Sequence, residues 1–407
     1  GTLYNVLPSG NKAPDETGSH NGYDQTRADF TFSRGSNLAA TRVNSSGLIE
    51  KGRENLLLQS NTFDTTWGDD GGTIASGFEG YDGTNNAWKY TKTGQFDGIN
   101  QSGLSITGVH TVSVYAKLPD GETDVDSLLF RIDYSGGNTN IVFKLDDDSV
   151  PTASGNGIHA EKESVGNGWY RCSFSLNQST TKVNFRPSLG SSTSGTSGSI
   201  FIQNAQLEKG LVATDVITTT TASAQAGILE DMPRINYDAN GENGALLLEP
   251  SRSNFIKYGT YFNGWGIKSG VTATTNTITS PDGLQNASTI AATSSATNYI
   301  GEYYTFSAST KYTYSVFVKN NTSTKMRLQV YDSSQYSTLD FDQSDSVSYS
   351  ANLDSYDFVD YGNGWRRVII SFTTSSGAGS GYVQIYPDRN GNNHSMYAFG
   401  AQLEAGS

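Results

Sequence analysis

Short stretches of this chain alternate apolar and polar residues with a period of two. Leu128, Phe130 and Ile132 alternate with Leu129, Arg131 and Asp133, and Val183 and Phe185 with Asn184 and Arg186. Further along, Leu328 and Val330 alternate with Arg327, Gln329 and Tyr331, and Val383 and Ile385 with Gln384 and Tyr386. Successive side chains on a strand point to opposite faces, so each stretch predicts a strand with one dry and one polar face. Parallel sheets would read as continuous apolar runs with helices between them, and the sequence carries no long amphipathic helix. The pattern therefore predicts an all-β chain of jelly-roll-like antiparallel β-sandwiches, with a turn about every 8 to 12 residues.

A search for internal similarity shows how many sandwiches to expect. Glu50-Lys51-Gly52-Arg53-Glu54-Asn55 followed by Trp67 recurs as Glu249-Pro250-Ser251-Arg252-Ser253-Asn254 followed by Trp265. Asp82-Gly83 with Asn86-Ala87 recurs as Asp282-Gly283 with Asn286-Ala287, and Ser113-Val114-Tyr115-Ala116-Lys117 as Ser315-Val316-Phe317-Val318-Lys319. Gly166-Asn167-Gly168-Trp169 returns as Gly362-Asn363-Gly364-Trp365, and Ala205-Gln206-Leu207-Glu208 as Ala401-Gln402-Leu403-Glu404. Landmarks repeated in one order mark a tandem duplication. The expected organisation is an irregular arm over 1–45, a first sandwich over 46–212, a connector over 213–244 and a second sandwich over 245–407. The Thr-rich run Thr218–Thr221 supports the connector.

Composition narrows the function. Among 407 residues there are 45 Gly, 23 Tyr and 18 Phe but only 16% charged residues, which suits many short strands and turns. A net charge of -13 argues against nucleic acid as a partner. The single Cys172 excludes an intrachain disulfide, and His20, His110, His159 and His394 are too scattered for a zinc motif. No apolar run approaches the roughly 18 to 20 residues that cross a bilayer, so no membrane insertion is expected.

The shared landmarks have structural readings. Gly168-Trp169 and Gly364-Trp365 suit a turn whose indole covers one end of the core. Asn55 and Asn254, with their neighbouring arginines, suit groups that satisfy backbone where the chain enters each sandwich. Asp82, Asn85 and Asn86 read as a turn, with a Ca2+ loop as the alternative, although Leu284 and Gln285 interrupt that set in the second copy. No other cofactor is implied.

Positions where the copies differ on the polar face are better candidates for ligand contact, because a shared fold does not require them. They are Arg131, Asp133, Asn184 and Arg186 in the first copy, and Arg327, Gln329, Tyr331, Gln384 and Tyr386 in the second. Trp88, which faces Ser288 in the alignment, joins them. Aromatic rings take the C–H faces of sugars while Arg, Asn and Gln bond their hydroxyls, so the set points to carbohydrate; an ordinary solvated face is the alternative. Catalysis has weaker support. Asp146-Asp147-Asp148, Glu161 with Glu163, and Asp133 could pair as glycosidase carboxylates, but their setting reads as solvated turns, and no nucleophile elbow or phosphate loop accompanies them.

Asp29–Ser36, then Ala40–Asn44 with Gly47–Glu50 and Arg53–Leu57, resembles the opening of tailed-phage structural and tail-fibre proteins, notably environmental and marine ones. Gly362–Arg367 and Gly400–Gly406 resemble the end of their β-sandwich modules. Those modules are similar to jelly-roll carbohydrate-binding modules that accompany glycoside hydrolases. The resemblance implies a non-enzymatic tail-fibre or adhesin protein in the virion, outside the cell. Its partners would be host-surface polysaccharide and other virion proteins, with a homotrimer as the assembly. A purely structural fibre module and a polysaccharide depolymerase or its accessory module are the alternatives. In the first copy Lys51-Gly52 replaces the Pro250 position, and the stretch Pro233–Tyr237 has no counterpart before it, so identical binding by both copies is not expected.

Overall fold

The computed structural model describes residues 41–153, 155–228, 233–249, 252–294, 298–344, 346–389, 391 and 393–406. The expected arm up to residue 40, with His20 and Asp29–Ser36, lies outside the described residues, as do Pro250 and Ser251.

The strands build two tandem antiparallel β-sandwiches. In the first, a five-stranded front sheet runs Gly137–Lys144, Ser127–Tyr134, Thr180–Ser188, Ile99–Ile106, Gly68–Asp69. Its six-stranded back sheet runs Gly157–Gly166, Trp169–Asn177, Val109–Lys117, Ser199–Lys209, Ala87–Thr91, Thr73–Phe78. In the second, the six-stranded front sheet runs Ile267–Ser269, Tyr299–Thr305, Ser380–Tyr386, Met326–Tyr331, Tyr336–Phe341, Val347–Tyr349. Its back sheet runs Val271–Ile278, Ala287–Ala292, Ser395–Ala405, Lys311–Asn320, Trp365–Thr373, Leu353–Asp360.

The alternation places the core as expected. Leu128, Phe130, Ile132, Val183 and Phe185 from the front sheet meet Val112, Val114, Cys172, Phe174 and Leu207 from the back. Leu328, Val330, Val383 and Ile385 meet Tyr314, Val316, Val368, Ile370 and Leu403 in the second copy. Each such side chain contributes roughly 1.5 to 3 kcal/mol by leaving water, which is what holds the two sheets face to face.

The shared landmarks are the joints of this architecture. Asn167 (φ 53) with Gly168 (φ 76), and Asn363 (φ 51) with Gly364 (φ 77), place two consecutive residues at positive φ, the requirement of a tight two-residue hairpin. Asn55 Nδ2 donates to the carbonyls of Ala205 (3.1 Å) and Ile217 (2.8 Å), while its Oδ1 accepts from the amides of Leu57 and Leu207. Asn254 repeats this with Ala401, Ile256 and Leu403. One asparagine thus ties the start of each sandwich to its last long strand, so the two motifs recur together. Trp169 and Trp365 do not cap the core end. They lie on the outer surface of the back sheet, each in its own small cluster, with Tyr115 and Tyr81 or with Phe317 and Phe399.

The residues expected as one connector divide in two. Residues 213–226 stay with the first sandwich: Ile217 and Thr219 are buried, and Ala224–Ala226 pairs with Arg53–Asn55. Ile235–Asn236 and Ala245–Leu246 form a hairpin instead, which packs on the earlier hairpin of Thr41–Val43 and Ile49–Lys51. Tyr237 N donates to Val43 O at 3.0 Å and Arg234 Nη1 to Thr41 O at 3.0 Å. Arg42 pairs with Glu50 (2.8 Å) and Arg234 with Glu249 (3.1 Å), so the duplication includes a leading hairpin before each sandwich.

Candidate functional site

Strand register brings the outward residues of the second front sheet into three transverse rows. Arg327 lies opposite Tyr386 and Asp340; Gln329 opposite Gln384 and Thr338; Tyr331 opposite Tyr382 and Tyr336. The next strand adds Gly301 beside Gln384 and Tyr303 beside Tyr382, and Tyr299 packs on Tyr386 at 5.3 Å between ring centroids. The middle row is low and the outer rows are tall, so a groove of about 530 Å³ crosses the strands, lined by Tyr299, Arg327, Gln329, Tyr336, Thr338, Tyr382, Gln384 and Tyr386. Four strand axes span roughly 14 Å. Gly301 keeps the floor low, since a Cβ there would stand 2.6 Å from Val383 O and 2.7 Å from Gln384 Cγ.

The floor is polar and internally ordered. Gln329 Nε2 donates to Gln384 Oε1 at 2.8 Å and to the Tyr386 hydroxyl at 3.1 Å, and that hydroxyl donates to Gln384 Oε1 at 3.2 Å. These bonds fix both amide orientations and leave Gln384 Nε2 with no protein acceptor among the described residues. At one end Arg327 forks onto Asp340, Nη2 to Oδ2 at 3.0 Å, with its guanidinium 5.7 Å from the Tyr386 ring centroid. At the other, Tyr331 stands between the two wall residues, stacked on Tyr336 (4.6 Å) and tilted against Tyr382 (5.2 Å). Burial pushes the Tyr386 phenol up against the pull of Gln329 and Arg327, and burial with the Tyr336 hydroxyl pushes Tyr382 up further. Both remain O–H donors at neutral pH.

The first front sheet carries the same rows with other residues. Asn184 lies opposite Asn100 and Arg131, as Gln384 lies opposite Gly301 and Gln329. Lys182 lies opposite Ser102 and Asp133, and Arg186 opposite Leu129, where the second copy has tyrosine walls. Asp70, from the link after Gly68–Asp69, lies over this face. Its Oδ1 accepts from Asn100 Nδ2 (3.0 Å) and Lys182 Nζ (3.2 Å), and its Oδ2 from Arg186 Nη2 (3.2 Å) and Asn184 Nδ2. Burial would raise its carboxyl, but Lys182, Asn184 and Arg186 together hold it below the ordinary carboxylate range. Arg131 is engaged by Asp133 at 2.9 Å. The four residues singled out here are together, but they bond one another or Asp70.

Trp88 is not on the polar face. It is 8% exposed inside the first core, edge-on to Phe63, and its Nε1 donates to Asn61 O at 2.9 Å. Its strand, Ala87–Thr91, turns Trp88 and Tyr90 into the core. Asp82 closes a turn: Oδ1 accepts from the Thr84 amide (3.1 Å) and hydroxyl (2.7 Å), and Oδ2 from Gln203 Nε2 (3.2 Å). Asn86 Oδ1 also accepts from Gln203, and Asn85 is exposed. Asp282 closes the matching turn through Leu284 N (3.0 Å) and Asn286 Nδ2 (2.9 Å), so the landmark is a turn in both copies. Among the described residues no three His, Cys, Asp or Glu side chains are grouped to hold a metal. Of the acids considered for catalysis, Asp146 and Asp147 pair with Lys144 at 3.6 and 3.5 Å, and Asp148 accepts from the Tyr170 hydroxyl at 3.1 Å. Bonds from Ser149 hold the Asp147 carboxyl low, the opposite of what a general acid needs.

Sequence reading placed Arg327, Gln329, Tyr331, Gln384 and Tyr386 on one face; all but Tyr331 line the groove, and Tyr331 packs between the wall residues Tyr336 and Tyr382. It missed Tyr299, Tyr336, Thr338, Tyr382 and Asp70. Tyr299, Thr338 and Tyr382 each stand beside an inward apolar residue, Ile300, Leu339 or Val383, a signal present in the sequence, whereas the inward neighbour of Tyr336 is Ser337. Asp70 carries no such signal, because its partners lie 30 positions away at Asn100 and more than a hundred away at Lys182, Asn184 and Arg186.

No protein-family description matches the chain, and no curated protein matches it. Among solved structures, the tandem CBM22-1–CBM22-2 domain of Paenibacillus barcinonensis Xyn10C aligns over 91% of this chain and 99% of its own, with TM-score 0.28 and 10% identity. The tandem CBM51 modules of Sp3GH98, the family 98 glycoside hydrolase from Streptococcus pneumoniae, align over 87% and 96%, with TM-score 0.20 and 11% identity. The CBM51-1 and CBM51-2 domains with the M60 catalytic domain of Clostridium perfringens ZmpB align over 90% and 43%, with TM-score 0.23 and 8% identity. These superpositions are loose, and the two-sandwich fold stands on the strand pairing itself.

Proposed function

We propose that the chain binds glycans, through the transverse groove on the front sheet of the second sandwich. The observation that carries this reading is the pairing of an ordered amide floor, Gln329 and Gln384, with tyrosine walls on both sides. Tyrosine rings take the C–H faces of pyranose rings, and amides both donate to and accept from hydroxyls, so an oligosaccharide laid across the strands finds partners of both kinds. The groove is open and shallow, which suits the side of a chain. Following the resemblance noted in the sequence, the finer reading is a non-catalytic tail-fibre or adhesin protein of a virion that adsorbs to host-surface polysaccharide beside other virion proteins. A glycan array with the intact chain tests it. Hits that fall on Tyr386→Ala and Tyr382→Ala support the groove, and silence across a broad array overturns it.

One observation favours a scaffolding role instead. Tyr303 (68% exposed) and Tyr336 (47%) leave large aromatic surface in water on this same face, as an oligomer interface would before assembly. Light scattering separates the two: a trimer that buries these tyrosines makes the sheet an interface, and a monomer leaves it to ligand.

A further inference from the structure

We propose that the front face of the first sandwich is a second binding site, for the carboxylate of an acidic sugar such as a hexuronate, and that the chain's own Asp70 occupies it. The sugar class rests on the glycan-binding reading above; the capture of a carboxylate stands on this face alone.

Four donors from the two strands Ile99–Ile106 and Thr180–Ser188 converge on one carboxylate that belongs to neither strand: Asn100, Lys182, Asn184 and Arg186. They stand at the positions that form floor and wall of the groove in the second copy, with Asn184 at the place of Gln384 and Arg186 at that of Tyr386. Gly98 lets them gather there, since a Cβ on it would stand 2.5 Å from Arg186 Cγ. The plug is particular to this copy. Asp69 pairs with Ile99 as Lys268 pairs with Ile300, so the position of Asp70 is taken in the second copy by Ser269, which has no carboxylate.

Asp70 also leaves the cluster incompletely satisfied. Asn184 Oδ1 and Arg186 Nε are buried with no hydrogen-bond partner. A carboxylate offers nothing to an acceptor such as Asn184 Oδ1, so Asp70 cannot satisfy it. A uronate carries ring hydroxyls beside its carboxylate, and one hydroxyl both donates to an amide oxygen and accepts from a guanidinium. The face is therefore chemically more complementary to a sugar acid than to the aspartate that fills it, and an intramolecular plug sets the threshold a ligand must exceed.

Oligogalacturonate and a neutral oligosaccharide of equal length, titrated into the full chain and into Asp70→Ala and Asp70→Asn, test this. The variants are expected to bind oligogalacturonate roughly tenfold or more tightly than the parent, in a salt-sensitive way, with the gain lost on adding Arg186→Ala. Folded variants without the gain, or with an equal gain for the neutral sugar, overturn the proposal. In the parent, the side-chain amide signals of Asn100 and Asn184 should move during titration, and their stillness at the highest soluble concentration overturns it without any variant. Adding Gln384→Ala separates the two sites: loss of neutral-glycan binding with the acidic gain intact leaves this proposal standing, and loss of both places the acidic gain in the groove and overturns it.

Discussion

Gln329 and Gln384, 55 positions apart, lie side by side on adjacent strands with Nε2 of the first 2.8 Å from Oε1 of the second. The bond orients both amides toward the groove, so each variant has a separable effect. Gln384→Ala removes the unpaired donor and the acceptor for Gln329 and Tyr386 together. It should weaken glycan binding about tenfold or more and also cost about 1 to 3 kcal/mol of stability, because Gln384 is buried and its loss leaves Gln329 Nε2 without its acceptor. Calorimetric titration beside a thermal melt checks both.

Trp88→Ala should behave differently. Its indole fills the first core against Phe63, so truncation should cost about 3 to 5 kcal/mol of stability. Urea unfolding reads this, and a folded Trp88→Ala chain should retain binding by the second groove.

Asn55→Ala should destabilise by roughly 2 to 4 kcal/mol, because it strands two carbonyls and two amides in a dry joint. Asn254→Ala removes three such bonds and should cost less. Denaturant curves on the two single variants rank them.

His110 gives the first sandwich an acid sensitivity. Its ring is buried, with Nδ1 against Gly108 O and Nε2 against the Thr180 hydroxyl, both at 2.8 Å. Burial, opposed by the Gly108 bond and helped by Lys209, pulls it from 6.5 down to about 4. The unfolded chain therefore binds the proton first. Stability is complete above about pH 6.5 and falls as pH drops toward 4, by roughly 3 kcal/mol in all. Unfolding at pH 7 and pH 4.5 should show the loss, and His110→Gln should flatten it.

Cys172 lies wholly inside the first core, and burial pushes its thiol far up. A thiol reagent should leave the native chain unlabelled at pH 8 and modify one site in urea, which mass spectrometry counts.

Much of this was local, and so written along the chain. Which side of each front strand faces water follows from period-two alternation, as for Leu328 and Val330 against Arg327 and Gln329, because the pleat imposes it on any strand. The duplication was equally plain, because Asn55 and Asn254 meet the same closing strand in each copy. Tertiary structure decided which outward residues become neighbours, since register sets Tyr336 beside Tyr331 and Tyr382 on its other side. It also decided that Trp88 points inward, where a strand of five residues gave alternation too little length to settle the face. Above all it decided that the first face is filled and the second open. That difference depends on one carboxylate, Asp70, reaching Lys182 and Arg186 from a link more than a hundred positions away, and no local pattern encodes a contact across that distance.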